Sequence, residues 1–274
     1  MRIPGLFVIL SALLAAPVAG VAQPSPCPVF FTGGQPPVLT NARMLQRTTG
    51  LCNNAYASLN SGVTHGPLWS AEHLTAASIA AARGITRQGQ FHADDRLPLQ
   101  DRSELDDYRG SGYDRGHLAP SGDMPDEESQ QQSFSLANMI PQAPRLNRGV
   151  WEGIESAVRD LAVREGEVYV VTGPVFQGQK LKSIGPNAVL APTSVWKAVH
   201  RPRGRGAAAY LCTNTARPSC TTISIAALTR LSGIDPFPAL SNAAKQSAVA
   251  LPRPNPGHYG GGGPARRGNK GIFQ

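Results

Sequence analysis

The clearest helical pattern in the chain lies between residues 148 and 166, RGVWEGIESAVRDLAVREG. Apolar residues recur there at three-to-four spacing: Val150, Ile154, Ala157, Val158, Leu161 and Ala162. Because a helix turns once in about 3.6 residues, this spacing places them on one face. Gly166 is a residue type that ends helices. The pattern therefore predicts one long helix here, and a second is predicted at about 239–249.

Other apolar runs predict strands. VYVVTGPVF at 168–176 is apolar and β-branched up to its Gly-Pro, which is typical of a buried strand. TSVWKAVH (193–200) and AAAYLCT (207–213) look like further strands, and TTISIAALTRLSG (221–233) begins like one, whereas GPLWSAEHLTAASI (66–79) is mixed. Strands and helices do not alternate in a regular βαβ order. We therefore predict an α+β fold with a mixed, mainly antiparallel sheet and flanking helices.

The two ends of the chain differ from its middle. Residues 1–22 combine a lone Arg2, an apolar stretch and small residues ending at Ala22, which predicts a cleaved signal peptide. The alternative, a membrane anchor, is disfavoured because the stretch is shorter than the roughly 20 residues that span a bilayer. Residues 251–274 are basic and rich in Pro and Gly, which predicts a disordered tail. The folded domain is expected at 23–250, with an N-terminal wrap at 23–55.

Composition and charge narrow the class of protein. The 274 residues are 41% hydrophobic and 16% charged, an ordinary globular mixture that argues against a disordered or fibrous protein. The formal net charge of +8 favours a polyanionic partner such as nucleic acid. Part of that charge is local, because Arg253, Arg266, Arg267 and Lys270 lie in the predicted tail.

The four cysteines are Cys27, Cys52, Cys212 and Cys220. Export would take them out of the reducing cytosol, so disulfide bonds are expected. Three pairings are open, and the short loops that local pairing closes favour Cys27 with Cys52 and Cys212 with Cys220. A zinc site is the rival interpretation, but there is no CxxC pair among these cysteines.

Candidate chemistry is concentrated in YDRGHLAPSGDM, residues 113–124. If residues 113–118 are extended, as the approach to Pro120 suggests, Arg115 and His117 point to the same side. A guanidinium binds phosphate oxygens while a neutral imidazole takes a proton from water, a combination suited to phosphodiester chemistry. Asp114 and Gly116 are expected to face away and shape the strand. A solvated strand edge is the alternative.

A second set of candidate residues follows at the start of the predicted long helix and along it. Asn147, Trp151, Glu155 and Arg159 are four apart, so in a helix they form one slanting stripe. Asn147 could be only a helix N-cap, and Glu155 with Arg159 only a surface ion pair. The sharper hypothesis is that Asn147 offers its amide oxygen to a divalent cation while Glu155 holds that cation's waters. Mg²⁺ suits this arrangement because it retains several waters.

These blocks resemble a known family. DRGH (114–117), NMIPQ (138–142) and LNRGVWEGIE (146–155) are similar to blocks of the sugar-nonspecific DNA/RNA endonucleases of the ββα-metal, or His-Me finger, type, the Serratia nuclease and endonuclease G group. VYVVTGPVF, SVWKAVH and LSGIDPFPAL also look like blocks of these enzymes. The resemblance implies a ββα-metal active-site motif and makes residues 23–250 the nuclease domain.

The resemblance also implies catalytic roles. His117 matches the general base that activates water, and Asn147 matches the single direct protein ligand of Mg²⁺, for which Mn²⁺ could substitute. Glu155 matches the acidic residue that orients the metal's waters. Asn138 matches the asparagine that supports the surroundings of the catalytic histidine, and we group it with the catalytic residues.

Substrate contacts follow from the same comparison. Arg115 and Arg159 match phosphate-binding arginines, and Arg87 in ITRQGQF is assigned as the remaining one. The expected protein is thus a secreted or periplasmic Mg²⁺-dependent endonuclease that cuts DNA and RNA to give 5′-phosphate ends, with no membrane partner and a homodimer left open. The main alternative is a secreted, inactive protein of the same fold that binds nucleic acid or another polyanion. A phosphodiesterase of narrower substrate range also stays open.

Overall fold

The computed structural model describes residues 27–203 and 206–255. The predicted signal peptide therefore lies outside the described residues. In the described part of the chain the strands are β1 Val38–Leu39, β2 Thr48–Cys52, β3 Ala57–Ser61, β4 Gly66–Thr75, β5 Asp114–His117, β6 Met139–Gln142, β7 Glu167–Val175, β8 Lys182–Ile184, β9 Val189–Ala191, β10 Ser194–Arg201, β11 Gly206–Thr213, β12 Cys220–Ile223 and β13 Ile234–Asp235.

The α-helices in the same ranges are α1 Ala76–Ala82, α2 Leu105–Tyr108, α3 Glu127–Ser133, α4 Glu152–Glu165, α5 Ile225–Ser232 and α6 Asn242–Gln246. A π-helical turn, Leu146–Trp151, leads directly into α4. Short 3₁₀ turns are Pro28–Phe30, Thr32–Gly34, Ala42–Leu45, Leu99–Asp101, Ser121–Asp123 and Leu136–Asn138.

A seven-stranded sheet forms the centre, in the order β12-β11-β10-β7-β4-β3-β2. Every neighbouring pair in it is antiparallel. The apolar run that predicted a strand at 168–176 is β7, in the middle of the sheet, where both of its faces are covered. The predicted α+β class with a mainly antiparallel sheet is confirmed.

The two faces of this sheet carry separate cores. The site face is covered by α1 and α4, and Ile154, Val158 and Leu161 of α4 pack there against strand residues such as Val170 and Val199. The far face is covered by α5 and the segment 27–34. Its separate core includes Trp69, Trp196, Phe30, Phe31, Leu228 and Phe237. Fully burying one aliphatic or aromatic side chain contributes roughly 1.5–3 kcal/mol, so both faces stabilise the domain.

A smaller ββα unit projects beside the site face. β5 and β6 form a separate antiparallel pair, in which Arg115 lies opposite Pro141 and His117 opposite Met139. The π-helical turn and α4 follow β6 along the chain. This is the ββα motif that the family resemblance implied.

The helix boundaries differ from the sequence prediction. The regular helix begins at Glu152 instead of near 148, because Gly149 has φ −123° and ψ −116°, outside the helical region. It ends where expected, before Gly166 at φ 89°. The second predicted helix is shorter than 239–249: the Ser241 side chain accepts from the Ala244 N–H at 3.2 Å and starts α6.

Disulfide bonds fix the edges of the sheet. The structure contains Cys27–Cys52 and Cys212–Cys220, the pairing that the short loops favoured. The first ties the N-terminal segment to β2, so the predicted wrap also supplies an edge strand. The second joins directly opposed residues of β11 and β12.

Residues 251–255, which the sequence prediction placed in a disordered tail, are packed on the domain. The Tyr210 hydroxyl donates to the Pro252 carbonyl at 2.6 Å, and the Asn255 N–H donates to the Gly153 carbonyl at 2.9 Å. These contacts extend the packed region five residues past the predicted boundary because the backbone reaches α4. Residues 256–274 lie outside the described residues. No helix in the described ranges is long and apolar enough to cross a membrane.

Candidate active site

A cavity of about 590 Å³ opens between the ββα unit and the loops at 85–91 and 120–122. Six of the predicted site residues line it: Arg87, Arg115, His117, Asn147, Glu155 and Arg159. They come from four different parts of the chain, and only the tertiary fold brings them together. Asn138, the seventh, does not line the cavity.

Strand β5 presents Arg115 and His117 to the cavity, as the predicted alternation requires. Gly116 points the other way, against Gln142. A methyl group at Gly116 would overlap the Gln142 side chain, so glycine is the residue that lets β5 and β6 approach here. The glycine of the DRGH block thus serves packing, and the residues on either side serve the cavity.

His117 is 8% exposed, and its Nε2 has no hydrogen-bond partner within the described part of the chain. Burial, and secondly the charge of Arg87, lowers the pKa of His117 to about 3. The imidazole is therefore neutral across the ordinary pH range. A neutral ring with an unoccupied nitrogen is the form that can accept a proton.

Asn138 acts on the backbone that follows His117. It is fully buried, and its Nδ2 donates to the carbonyls of Ala119 at 2.8 Å and Ser133 at 2.9 Å. Its Oδ1 accepts from the Ala119 N–H at 3.0 Å and from the Ser70 hydroxyl at 2.9 Å. All four bonds that an amide side chain can make here are used internally. This contact pattern is that of a residue that positions the backbone after His117, and its place among the catalytic residues stays a prediction.

Asp114 was expected to face away from the site, and the structure contradicts this. Its carboxylate lines the cavity and accepts from Asn147 Nδ2 at 2.9 Å and from Arg148 Nε at 2.8 Å. Asp114 is the first residue of β5, and through these two bonds its side chain reaches across to the π-helical turn. With the amide nitrogen of Asn147 engaged, its oxygen remains as the atom able to bind a cation.

Asn147 lies in the π-helical turn, not on α4 itself. The predicted stripe, which assumed a continuous α-helix from Asn147 to Arg159, is therefore wrong. Trp151, a member of that stripe, is buried and only 1% exposed. Asn147, Glu155 and Arg159 nevertheless line the same cavity. Asn147 is not the cap of α4, whose N-cap residue is Trp151. The alternative interpretation, that Asn147 is only the N-cap of this helix, is therefore wrong.

Glu155 and Arg159 do not form a simple surface pair. Arg159 Nη1 donates to Asp123 Oδ1 at 2.8 Å, and the Asp123 side chain is almost fully buried. Burial raises the pKa of Glu155 to about 7, although the charges of Lys197 and Arg159 oppose the increase. A nearby cation would favour the ionised carboxylate.

Two buried ionisable side chains behind the cavity were not found from the sequence. Lys197 is 1% exposed, and its Nζ donates to Thr172 Oγ1 at 2.7 Å and to the Leu118 carbonyl at 3.3 Å. Glu72 is fully buried, and burial raises its pKa well above the ordinary value. The available signal was a single charged residue inside an apolar strand, as in SVWKAVH.

The side-chain atoms around the cavity that could bind a metal are mainly oxygens. No group of three or more His, Cys, Asp or Glu side chains able to hold a metal occurs in the described ranges. A cation here would therefore have Asn147 Oδ1 and few other protein ligands, with Glu152 and Glu155 near enough to line the same space. This oxygen-rich, ligand-poor set fits a hard divalent cation that keeps most of its waters.

Comparison with known proteins identifies the family. The family model for DNA/RNA non-specific endonucleases matches residues 39–243. The chain is 32% identical to mitochondrial endonuclease G of Bos taurus over 206 residues, covering 72% of this chain and 68% of that protein. The chain therefore belongs to the DNA/RNA non-specific endonuclease family, and the predicted resemblance is confirmed.

Further similarities agree in sequence and in fold. Nuclease C1 of Cunninghamella echinulata var. echinulata is 37% identical over 153 residues, which are 52% of this chain and 61% of that protein. A chain of the crystal structure of the EndoG/EndoGI complex superposes with a TM-score of 0.65 at 27% identity, covering 75% of this chain and 93% of that chain. The α+β fold is thus shared with a solved structure.

Proposed function

We propose that this protein is a metal-dependent endonuclease that hydrolyses phosphodiester bonds in both DNA and RNA. One observation carries the proposal: His117 on β5 and Asn147 in the π-helical turn line one cavity together with Arg87, Arg115 and Arg159. A proton acceptor, a cation-binding oxygen and three guanidinium groups are the parts that water-driven phosphodiester cleavage needs.

The metal half of the site rests on Asn147. Its nitrogen is held by Asp114, which leaves its Oδ1 for the cation, and Glu155 supplies a carboxylate to orient waters. When bound, Mg²⁺, or Mn²⁺ in its place, supplies positive charge that stabilises the leaving 3′-oxygen. The Asp114 contact orients the amide before any cation arrives.

The chain's own residues perform the remaining steps. His117, which lines the cavity and whose Nε2 has no partner in the described ranges, takes the proton from the attacking water. Arg87, Arg115 and Arg159 offset charge on the phosphoryl oxygens in the transition state. Attack by water at phosphorus breaks the bond to the 3′-oxygen, which takes a proton from a second water, so the products are a 5′-phosphate and a 3′-hydroxyl.

Substrate breadth follows from these contacts. The nucleophile is water and not the ribose 2′-hydroxyl, so DNA and RNA can both be cleaved. Three arginines directed at phosphate carry no direct base information, which supports weak sequence preference. Substrate binding should weaken as salt rises.

We also propose that the protein works outside the cytosol, in the periplasm or the surrounding medium. The two disulfide bonds support this, because such bonds persist in oxidising compartments. The N-terminal sequence of the mature protein, read after expression with its own leader, would decide whether cleavage follows Ala22. A homodimer stays a prediction.

The alternative function is binding of nucleic acid without cleavage. The loss of a predicted catalytic residue would favour this alternative. However, His117, Asn147 and Glu155 are all present around the cavity.

The deciding experiment is digestion of supercoiled plasmid, single-stranded DNA and RNA with Mg²⁺ or with chelator. All three should be degraded with Mg²⁺ and none with chelator. Retained binding without cleavage under both conditions would support the binding protein instead. Cleavage of only one polymer would support an enzyme of narrow range.

A further inference from the structure

Two phenylalanine rings lie directly behind the cationic side chains of the cavity. Phe91 and Phe134 contact each other edge to face, with ring centroids 4.9 Å apart and an interplanar angle of 61°. Phe134 is 2% exposed, while Phe91 borders the cavity. Neither was singled out from the sequence, where they are ordinary apolar residues.

Each ring carries one of the predicted phosphate-binding arginines. Arg115 Cζ lies 4.2 Å from the centroid of Phe91, and Arg87 Cζ lies 5.1 Å from the centroid of Phe134. Neither arginine forms an ion pair with a residue in the described ranges. The aromatic faces are therefore the groups that hold these guanidinium planes, through cation–π attraction.

The same two rings enclose the imidazole. His117 contacts Phe134 edge to face at a centroid distance of 5.1 Å and an angle of 89°, and contacts Phe91 at 5.8 Å. The ring pair thus touches all three functional side chains on this side of the cavity.

The loop that carries Arg87 and Phe91 has no regular secondary structure, so other contacts must fix it. Side chains of α3 do so: the Gln88 N–H donates to Gln130 Oε1 and the Gln90 N–H to Gln131 Oε1, each at 3.0 Å. A methyl group at Gly89 would overlap the Phe134 ring, which follows α3 directly. Loop and ring are therefore packed as one unit.

We propose that Phe91 and Phe134 are positioning residues that orient Arg115, Arg87 and His117 toward the scissile phosphate. This inference rests on the proposed nuclease function and adds to it the side chains that orient the phosphate-binding arginines. Leucine would fill much of the same space but offers no aromatic face to a cation. The difference between leucine and an aromatic residue at these positions therefore isolates the positioning role from simple packing.

A double-mutant cycle tests the link between Phe91 and Arg115. Binding of a fluorescent single-stranded DNA oligonucleotide is measured by anisotropy in chelator, so that no cleavage occurs. Phe91→Leu should weaken binding about tenfold, and Phe91→Tyr should restore it. In an Arg115→Ala background Phe91→Leu should change binding by less than about twofold, because the partner is already gone. An equal loss in both backgrounds overturns the inference.

Measurement of turnover tests the role of Phe134. With Mg²⁺, Phe134→Leu should lower kcat while Phe134→Tyr retains it, and Gly89→Ala should reproduce the leucine effect by displacing the ring. Full activity in both Phe134→Leu and Gly89→Ala would contradict the role of Phe134. Phe237→Leu is the matched control: it is buried on the far face, so it should lower thermal stability and leave oligonucleotide binding unchanged.

The two proposals fail in different ways. A wild-type protein that binds the oligonucleotide but never cleaves it would remove the nuclease function, while the binding cycle would still decide whether Phe91 acts through Arg115. A wild-type protein that cleaves, with an additive cycle, would retain the function and remove the inference. Absence of both binding and cleavage would overturn both.

Discussion

The two faces of the central sheet differ in what they bury. The far face packs Trp69, Trp196 and Phe237 into an apolar core. The site face also has an apolar core, but it buries Glu72 and Lys197 beside it, and neither oxygen of Glu72 has a hydrogen-bond partner in the described chain. Burial raises the pKa of Glu72, which favours its neutral form, and burying a polar group without a hydrogen-bond partner is unfavourable. The far face therefore mainly contributes stability, whereas the site face loses some stability by holding ionisable groups behind the cavity.

The largest expected effect belongs to the site face. His117→Ala should lower kcat by about 10³-fold or more, since general-base catalysis contributes roughly 10²–10⁴-fold and is lost together with the ring's packing. Steady-state cleavage of plasmid measures it, with circular dichroism to confirm the fold. The matched control is His73→Ala, because His73 is stacked on Tyr169 away from the cavity. An active His117→Ala enzyme would exclude the general-base assignment.

A substitution in the core of the far face should lower stability and leave catalysis almost unchanged. Leu228→Ala removes a fully buried side chain on α5 and should lower the free energy of unfolding by about 2–5 kcal/mol. Because this core does not reach the cavity, kcat at a temperature where the variant is folded should stay within about twofold of wild type. Urea unfolding and plasmid cleavage test the two halves. A large loss of kcat in the folded variant would show that the faces are coupled.

The pH dependence of stability should sharpen the contrast. The pKa of Glu155 is raised to about 7 by burial, so the folded state holds its proton more tightly than the unfolded state. Stability from this group is present below its unfolded pKa and is lost as pH rises from about 4.5 to 7, by about 3 kcal/mol. Glu155→Gln should remove that loss in metal-free urea titrations. Parallel wild-type and variant curves would contradict the shift.

On the far face, stability should depend on pH with the opposite sign. Burial lowers the pKa of His200, although the charge of Glu167 opposes this, so the folded state favours the neutral imidazole. Its contribution is lost as pH falls below its unfolded pKa of about 6.5. His200→Gln should therefore remove a loss of stability that develops as pH falls below about 6.5, whereas Glu155→Gln removes a loss that develops as pH rises from about 4.5 to 7.

The smallest expected effect concerns an exposed residue. Arg148 pairs with Asp114, and removing it frees the carboxylate that orients Asn147. Arg148→Ala should raise the Mg²⁺ concentration for half-maximal cleavage by about two- to fivefold, the scale of an exposed pair. Arg83→Ala, which removes a similarly exposed arginine from its ion pair with Asp160, is the control and should leave that concentration unchanged. Equal behaviour of the two variants would show that Asp114 needs no partner.

Local pattern was sufficient for much of this protein. The spacing of apolar residues predicted α4, β7 and β10 because period and burial are properties of short segments. Alternation along β5 placed Arg115 and His117 on one side for the same reason. The prediction failed at Gly149, where the backbone leaves the helix and a π-helical turn carries Asn147. A pattern of side chains does not report such a change of backbone.

The sequence by itself determined which chemical groups this protein has and which regular elements carry most of them. Only the tertiary structure decided that Asp114 holds the amide of Asn147, that Asn138 clamps Ala119, and that Phe91 and Phe134 support the arginines. Each of these contacts joins residues from separate segments of the chain. Their geometry depends on how the elements pack in space, which spacing along the chain does not specify.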